Sequence, residues 1–276
     1  MRTYFSIFKL RFVNSLQYRV SAIAGLLTQI CFGLMYVLLF SAFYRMGNVP
    51  DNFSYSQMIS YLWLQQSFFM YFGLFTQNKD MTKSIVEGNI SYEMTRPMSL
   101  YNNWFATLYS ERLAKTILRM IPLIVIAFCL PAYCHCVLLA CVQKLLLPVS
   151  WAAFGMFLVE LVVAGFLVVG LGMLCYGLLF KTMTPNGTFA IFAIIGQFCS
   201  GAMIPIPLMP AWLQNVMNFL PFRYLNDLCF RTYCGSIDIK TSAIQLGIQV
   251  AWAVGVFFLG KLLFKRNLKK VEVQGG

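Results

Sequence analysis

The chain has 276 residues, of which 59% are apolar and 11% charged, and its mean hydropathy is +0.71. A water-soluble domain carries about 25% charged residues, so water is excluded as the main solvent. The net charge of +12 does not point to nucleic acid, because the basic residues flank apolar runs and no base-reading or stacking module is recognisable.

In residues 1–19, Tyr4, Phe5, Ile7, Phe8, Leu10 and Phe12 are interleaved with Arg2, Lys9, Arg11 and Asn14. The spacing predicts an amphipathic helix in the headgroup plane, with Phe8 and Phe12 on the apolar side and Lys9 among the cations. Val20 to Tyr44 then holds no charge. It is longer than the roughly 7–15 residues of a signal-peptide core, so it is expected to stay as an anchor.

Further uncharged runs follow, and a helix needs about 20 mostly apolar residues to cross the hydrocarbon core. The resulting expectation is an all-α integral membrane domain over 20–264, with six spans at about 20–44, 55–78, 118–142, 150–180, 186–205 and 241–262. Pro205, Pro207, Pro210 and Pro221 end the fifth span, so an irregular or re-entrant outer segment is expected over 205–240. A basic tail, 265–276, closes the chain.

Lys and Arg are retained in cytoplasmic loops, which tests the orientation. With an inside N-terminus, only Arg45, Lys144, Arg223, Arg231 and Lys240 of the 21 basic residues fall outside. Both termini are therefore expected on the cytoplasmic side of the cell (inner) membrane.

The longest cytoplasmic stretch, between the second and third spans, has local structure of its own. Met81, Ile85 and Val86 form a small apolar stripe in a polar run, Gly88-Asn89 supplies a break, and Arg96-Pro97 forces extended geometry. A short exposed helix with a bend, over 79–100, suits a docking surface that presents apolar tips and the Glu87 carboxylate. Glu160 is the one carboxylate deep inside a span, which costs roughly 2.5–3.5 kcal/mol on insertion scales. It fits a helix-packing hydrogen bond better than a proton relay, because no second buried charge accompanies it.

Metal and catalytic chemistry find little support. Cys129, Cys134, His135, Cys136 and Cys141 cluster, but they lack the paired C-x2-C arrangement of a structural zinc site and read as helix packing. Cys229 and Cys234 are left open as a disulfide pair. Gly255 to Leu262 nearly matches a phosphate-binding loop, but Leu262 replaces the required hydroxyl and no strand precedes it. No catalytic motif appears, and His135 is the single histidine. ATP, if it drives this protein, must be bound by another subunit.

The order of these features resembles the permease subunits of ABC-2-type (type V) ABC exporters over almost the whole chain. Ile85, Gly88, Ile90, Met94, Arg96 and Pro97 are similar to the I-x-x-G-x-(I/L)-x-x-x-(L/M)-x-R-P stretch of the daunorubicin-type multidrug permease branch, Met94 standing where Leu is commoner. The resemblance implies a non-enzymatic pathway subunit paired with a second permease copy or a related permease. It implies that a cytoplasmic ABC ATPase dimer, holding ATP and magnesium, docks at Met81, Ile85, Val86, Glu87, Tyr92 and Arg96, and at the N-terminal helix. The cargo would be an amphiphilic drug, peptide or lipid-like molecule. The alternative is an ion-driven carrier or channel that uses Glu160.

Overall fold

The computed structural model describes residues 2–17, 19–47, 53–74, 76–95, 97–129 and 144–268, and among them the chain is helical with no strand. Helix α1 (Arg2–Ser15) precedes α2 (Arg19–Arg45). The next apolar run is broken into α3 (Tyr55–Ser67) and α4 (Phe69–Phe72). Then come α5 (Lys79–Val86), α6 (Ile90–Met94), α7 (Leu100–Cys129), α8 (Trp151–Thr182) and α9 (Pro185–Cys199). After a short 3-10 turn the chain ends in α10 (Ala211–Asn218), α11 (Arg223–Cys234) and α12 (Ile239–Leu268).

Among the described residues, three helices are long and apolar enough to cross a membrane: Val20–Arg45, Trp151–Thr182 and Ile239–Leu268. Helix α8 is the axis of the fold, with Leu167, Val168, Met173 and Cys175 fully buried. Helix α12 packs along it, and Asn267 Nδ2 donates to Gly177 O at 2.6 Å. Outward-facing Ile23, Leu27, Leu39, Ile194, Phe258 and Leu262 remain exposed, as lipid contact requires. Helix α9, with 15 residues, is about 22 Å long and shorter than the hydrocarbon core.

The α3–α4 segment shows how a break is tolerated inside an apolar body. Its start is closed by a reciprocal cap, in which Ser54 Oγ accepts from Gln57 N at 3.3 Å and Gln57 Oε1 accepts from Ser54 N at 3.0 Å. At the other end the helix stops at Gly73 and leaves carbonyls without intrahelical partners. Arg112 of α7 supplies them: Nη1 donates to Tyr71 O at 2.8 Å and to Gly73 O at 2.7 Å, and Nη2 donates to Thr76 Oγ1 at 2.7 Å. The sequence reading placed Arg112 among the flanking surface charges; it is buried instead.

The proline-rich segment after α9 is irregular over 201–210 apart from the 3-10 turn Ile206–Leu208, and helical beyond it. The prolines sit at helix entrances, with Pro210 before α10 and Pro221 just before α11, where a missing N–H costs nothing. Helix α11 is buried almost throughout and packs on α8, α3 and α12. Asp227 within it accepts from Arg223 at 3.3 Å and pairs with Arg231 at 3.6 Å, so two cations are spent on one buried carboxylate. Cys229 and Cys234 are both buried free thiols. Five residues apart on one helix, their side chains diverge by about 140°, and no bridge forms.

Candidate functional site

Two polar constellations stand out against the apolar body. The first lies around α5. Asn78 caps the helix, its side chain accepting from Asp80 N at 3.0 Å and Met81 N at 3.2 Å. Asn78 is itself held, because its N–H donates to the Tyr176 hydroxyl at 2.8 Å and its amide donates to Glu111 Oε1 at 2.9 Å. Met81 and Ile85, one turn apart, are buried in the main core.

This corrects the expectation that Met81 and Ile85 present apolar tips to a partner: burial turns them inward, where they fasten α5 to the body. The face left in solvent carries Lys79, Lys83, Val86 and Glu87. The chain leaves α5 through Gly88 at φ 73°, a left-handed conformation that a side chain would strain.

Helix α6 is held by a carboxylate that the sequence reading passed over. Glu93 accepts from Trp104 Nε1 at 2.6 Å and from Ser84 Oγ at 3.3 Å, so one side chain ties α5, α6 and α7 together. Trp104 is buried, with its ring edge-on to Tyr176 at 5.7 Å and to Phe264 at 5.4 Å. Glu93 and Trp104 are 11 positions apart across a proline turn, and no helical or strand period links such a pair. Of Tyr92 only the backbone, in α6, is described, and Arg96 lies outside the described residues, as do Cys134, His135, Cys136 and Cys141.

Helix α1 lies against α7. The Phe8 ring stacks on Phe12 at 6.1 Å and approaches Tyr109 at 6.3 Å, and Ser99 N donates to the Tyr4 hydroxyl at 3.2 Å. Phe8 and Phe12 are thus partly buried within the chain, whereas Lys9, Phe5, Leu10 and Val13 are exposed.

The second constellation surrounds Glu160, which is fully buried where α8, α11 and α12 meet. Its Oε1 accepts from Ser242 Oγ at 2.5 Å and from Thr232 Oγ1 at 3.1 Å, and the two hydroxyl oxygens are 3.0 Å apart. One step away, Gln249 Nε2 donates to Glu160 O at 3.1 Å and to Tyr224 O at 2.7 Å. No Lys, Arg or His comes within ion-pair distance of Glu160 among the described residues. The arrangement joins three helices by short polar bonds and, among the described residues, sets no basic group beside the carboxylate.

Among the described residues, no group of three or more His, Cys, Asp or Glu is placed to hold a metal. A family model described as an ABC-2 family transporter protein matches residues 30–275, from the middle of α2 to the end of the chain. No curated protein matches the sequence.

Proposed function

Because the chain belongs to the ABC-2 transporter family and is thus a membrane permease component with no catalysis of its own, we propose that it forms the pathway of an ATP-driven exporter powered by separate ABC ATPase subunits. The pathway is completed by a second copy or a related permease. The chain crosses the cell membrane six times with both termini inside, and α5 with α6 receives the ATPase. The cargo is amphiphilic.

The observation that carries the docking assignment is the way α5 is mounted. A short helix that must transmit force needs a rigid base and a free face. Met81, Ile85, the Asn78 cap and the Glu93–Trp104 hydrogen bond supply the base; Lys83, Val86 and Glu87 supply the face. Closure of the ATPases would then move the helices as rigid bodies. The ion-driven alternative gains little from Glu160, which takes Ser242 and Thr232 on Oε1 and has no basic group within ion-pair distance among the described residues.

The test uses the complex purified with its ATPase and reconstituted in liposomes. Val86→Ala combined with Glu87→Lys should leave membrane insertion and thermal stability unchanged while lowering both ATPase co-purification and cargo-stimulated hydrolysis by about tenfold, the loss expected from about 1.4 kcal/mol of contact energy. Unchanged stimulation sinks the docking assignment. Absence of any co-purifying ATPase, with flux that follows a proton gradient, sinks the ATP-driven reading itself.

A further inference from the structure

Two cavities meet at one unpaired cation. The first, about 630 Å³, opens between α1, α2, α5 and α7 and is lined by the cations Arg11, Lys79, Lys115 and Arg119 against the carboxylates Asp80 and Glu111. Glu111 is already paired with Lys115 at 3.6 Å. The second, about 320 Å³, lies between α2, α3 and the end of α9. Its lining includes the amide-bearing Gln29, Gln65 and Gln197 and the apolar Phe32, Phe69 and Met203. Arg119 lines both. Along α2 the second cavity runs from Gly25 to Tyr36, about 16 Å, or half of a ~30 Å hydrocarbon core.

Three details mark a site prepared for a ligand. Arg119 has no carboxylate within ion-pair distance among the described residues; its one hydrogen bond there is from Nη2 to Ser21 O at 3.2 Å. Its guanidinium lies across α2 at Gly25, where a methyl group would overlap it, so the absence of a side chain at 25 holds the charge in the passage. Gln29 is 4% exposed, and neither its amide oxygen nor its amide nitrogen has a partner. Gln65 Oε1 is likewise unpartnered, although its Nε2 donates to Ala202 O. Buried amides are almost always hydrogen-bonded, so the guanidinium and Gln29 Nε2 call for acceptors between them, and the two amide oxygens, Gln29 Oε1 and Gln65 Oε1, call for a hydroxyl on the same group.

We propose that this cavity binds an anionic amphiphile. Arg119 takes the charge, Gln29 Nε2 donates to a headgroup oxygen, Gln29 Oε1 or Gln65 Oε1 accepts from a headgroup hydroxyl such as the P–OH of a monoprotonated phosphate monoester, and the apolar portion lies along Phe32, Tyr36, Phe69 and Met203. The excess of cations in the larger cavity draws the ligand in and disfavours cationic amphiphiles. Treating the ligand as cargo rests on the exporter reading above; the binding site itself does not.

The test is made on the full chain alone, in nanodiscs of phosphatidylcholine, with dodecyl phosphate as the probe and native mass spectrometry as the readout. One saturable site is expected, weakened at least about tenfold by Arg119→Gln and by Gly25→Leu, partly restored by Arg119→Lys and unaffected by Lys265→Gln at the far end of α12. Dodecyltrimethylammonium should not compete. Gln29→Leu should weaken the probe and raise the melting temperature, because it removes an orphaned amide; a purely structural Gln29 would lower both. Displacement of the probe when phosphatidylglycerol is added to the disc identifies a two-chain bilayer lipid as the natural occupant, whereas retention identifies a single-chain solute. Equal affinity in all variants, or equal binding of the cationic probe, overturns the proposal. That failure leaves ATPase stimulation untouched, so it is distinguishable from failure of the exporter reading.

Discussion

Glu160 and Gln29 are both polar side chains set in long apolar helices, and the fold treats them in opposite ways. Glu160 holds two donors on one oxygen, Ser242 at 2.5 Å and Thr232 at 3.1 Å, while its other oxygen, Oε2, has no partner among the described residues. Gln29 is buried nearly as deeply and has no partner on either amide atom. A carboxylate in an apolar setting attracts notice in a sequence because its charge is costly; a glutamine does not. Yet the half-satisfied group is the one whose bonds tie three helices together, and the wholly orphaned group is the one that leaves both amide atoms for something else. Burial alone therefore does not separate function from packing. The state of the hydrogen bonds does.

The largest way to break this comparison lies at a third buried polar group, Arg112. Arg112→Met should cost roughly 3–5 kcal/mol, because it leaves the carbonyls of Tyr71 and Gly73 buried without donors, as in the removal of one partner from a buried charged pair. Denaturant unfolding in detergent reads this directly, and a cost under about 1 kcal/mol would mean that water reaches those carbonyls. Next comes Glu160→Ala, expected to cost roughly 2–4 kcal/mol through the cavity and the loss of the acceptor shared by Ser242 and Thr232. Glu160→Gln keeps an acceptor oxygen and should stay within about 1 kcal/mol with transport intact. Loss of transport in that variant at unchanged stability would return Glu160 to the pathway and revive the ion-driven alternative.

A smaller effect is expected at the base of α5. Glu93→Ala orphans the Trp104 indole N–H, worth about 1–3 kcal/mol, and should also blunt ATPase stimulation because α6 loses its tie to α7. Hydrogen exchange over α5 and α6 would rise if Glu93 is the clamp. The smallest change in stability belongs to Val86→Ala with Glu87→Lys, within about 0.5 kcal/mol for an exposed face, so any loss of coupling there reports on docking and not on folding.

Much of the helical framework is legible in the amino-acid order. Uncharged runs predict helices at about 20–44, 150–180 and 241–262, and α2, α8 and α12 lie on them. Asn78, the Met81–Ile85 spacing and Gly88 predict a short helix and a bend, and both form. The apolar stripe on α5 is visible too, but its destination is not: an i, i+4 pair reads the same whether it faces a partner or the chain's own core. Arg112 counts as one more flanking cation until the carbonyls at the end of α4 are placed beside it. The prolines after α9 predict disruption because their position relative to a helix entrance cannot be read from their number.

Composition and local pattern thus determined the solvent, the helices and their punctuation, since each depends on residues within a turn or two of one another. Tertiary structure alone decided which face of α5 is free, which polar groups are satisfied, and that Arg119 lies across Gly25 between two cavities. Those outcomes depend on groups brought together from far along the chain, Arg119 and Ser21 being 98 positions apart and Gln65 and Ala202 137. A hydrogen bond depends on distance in space, and sequence separation carries no record of it.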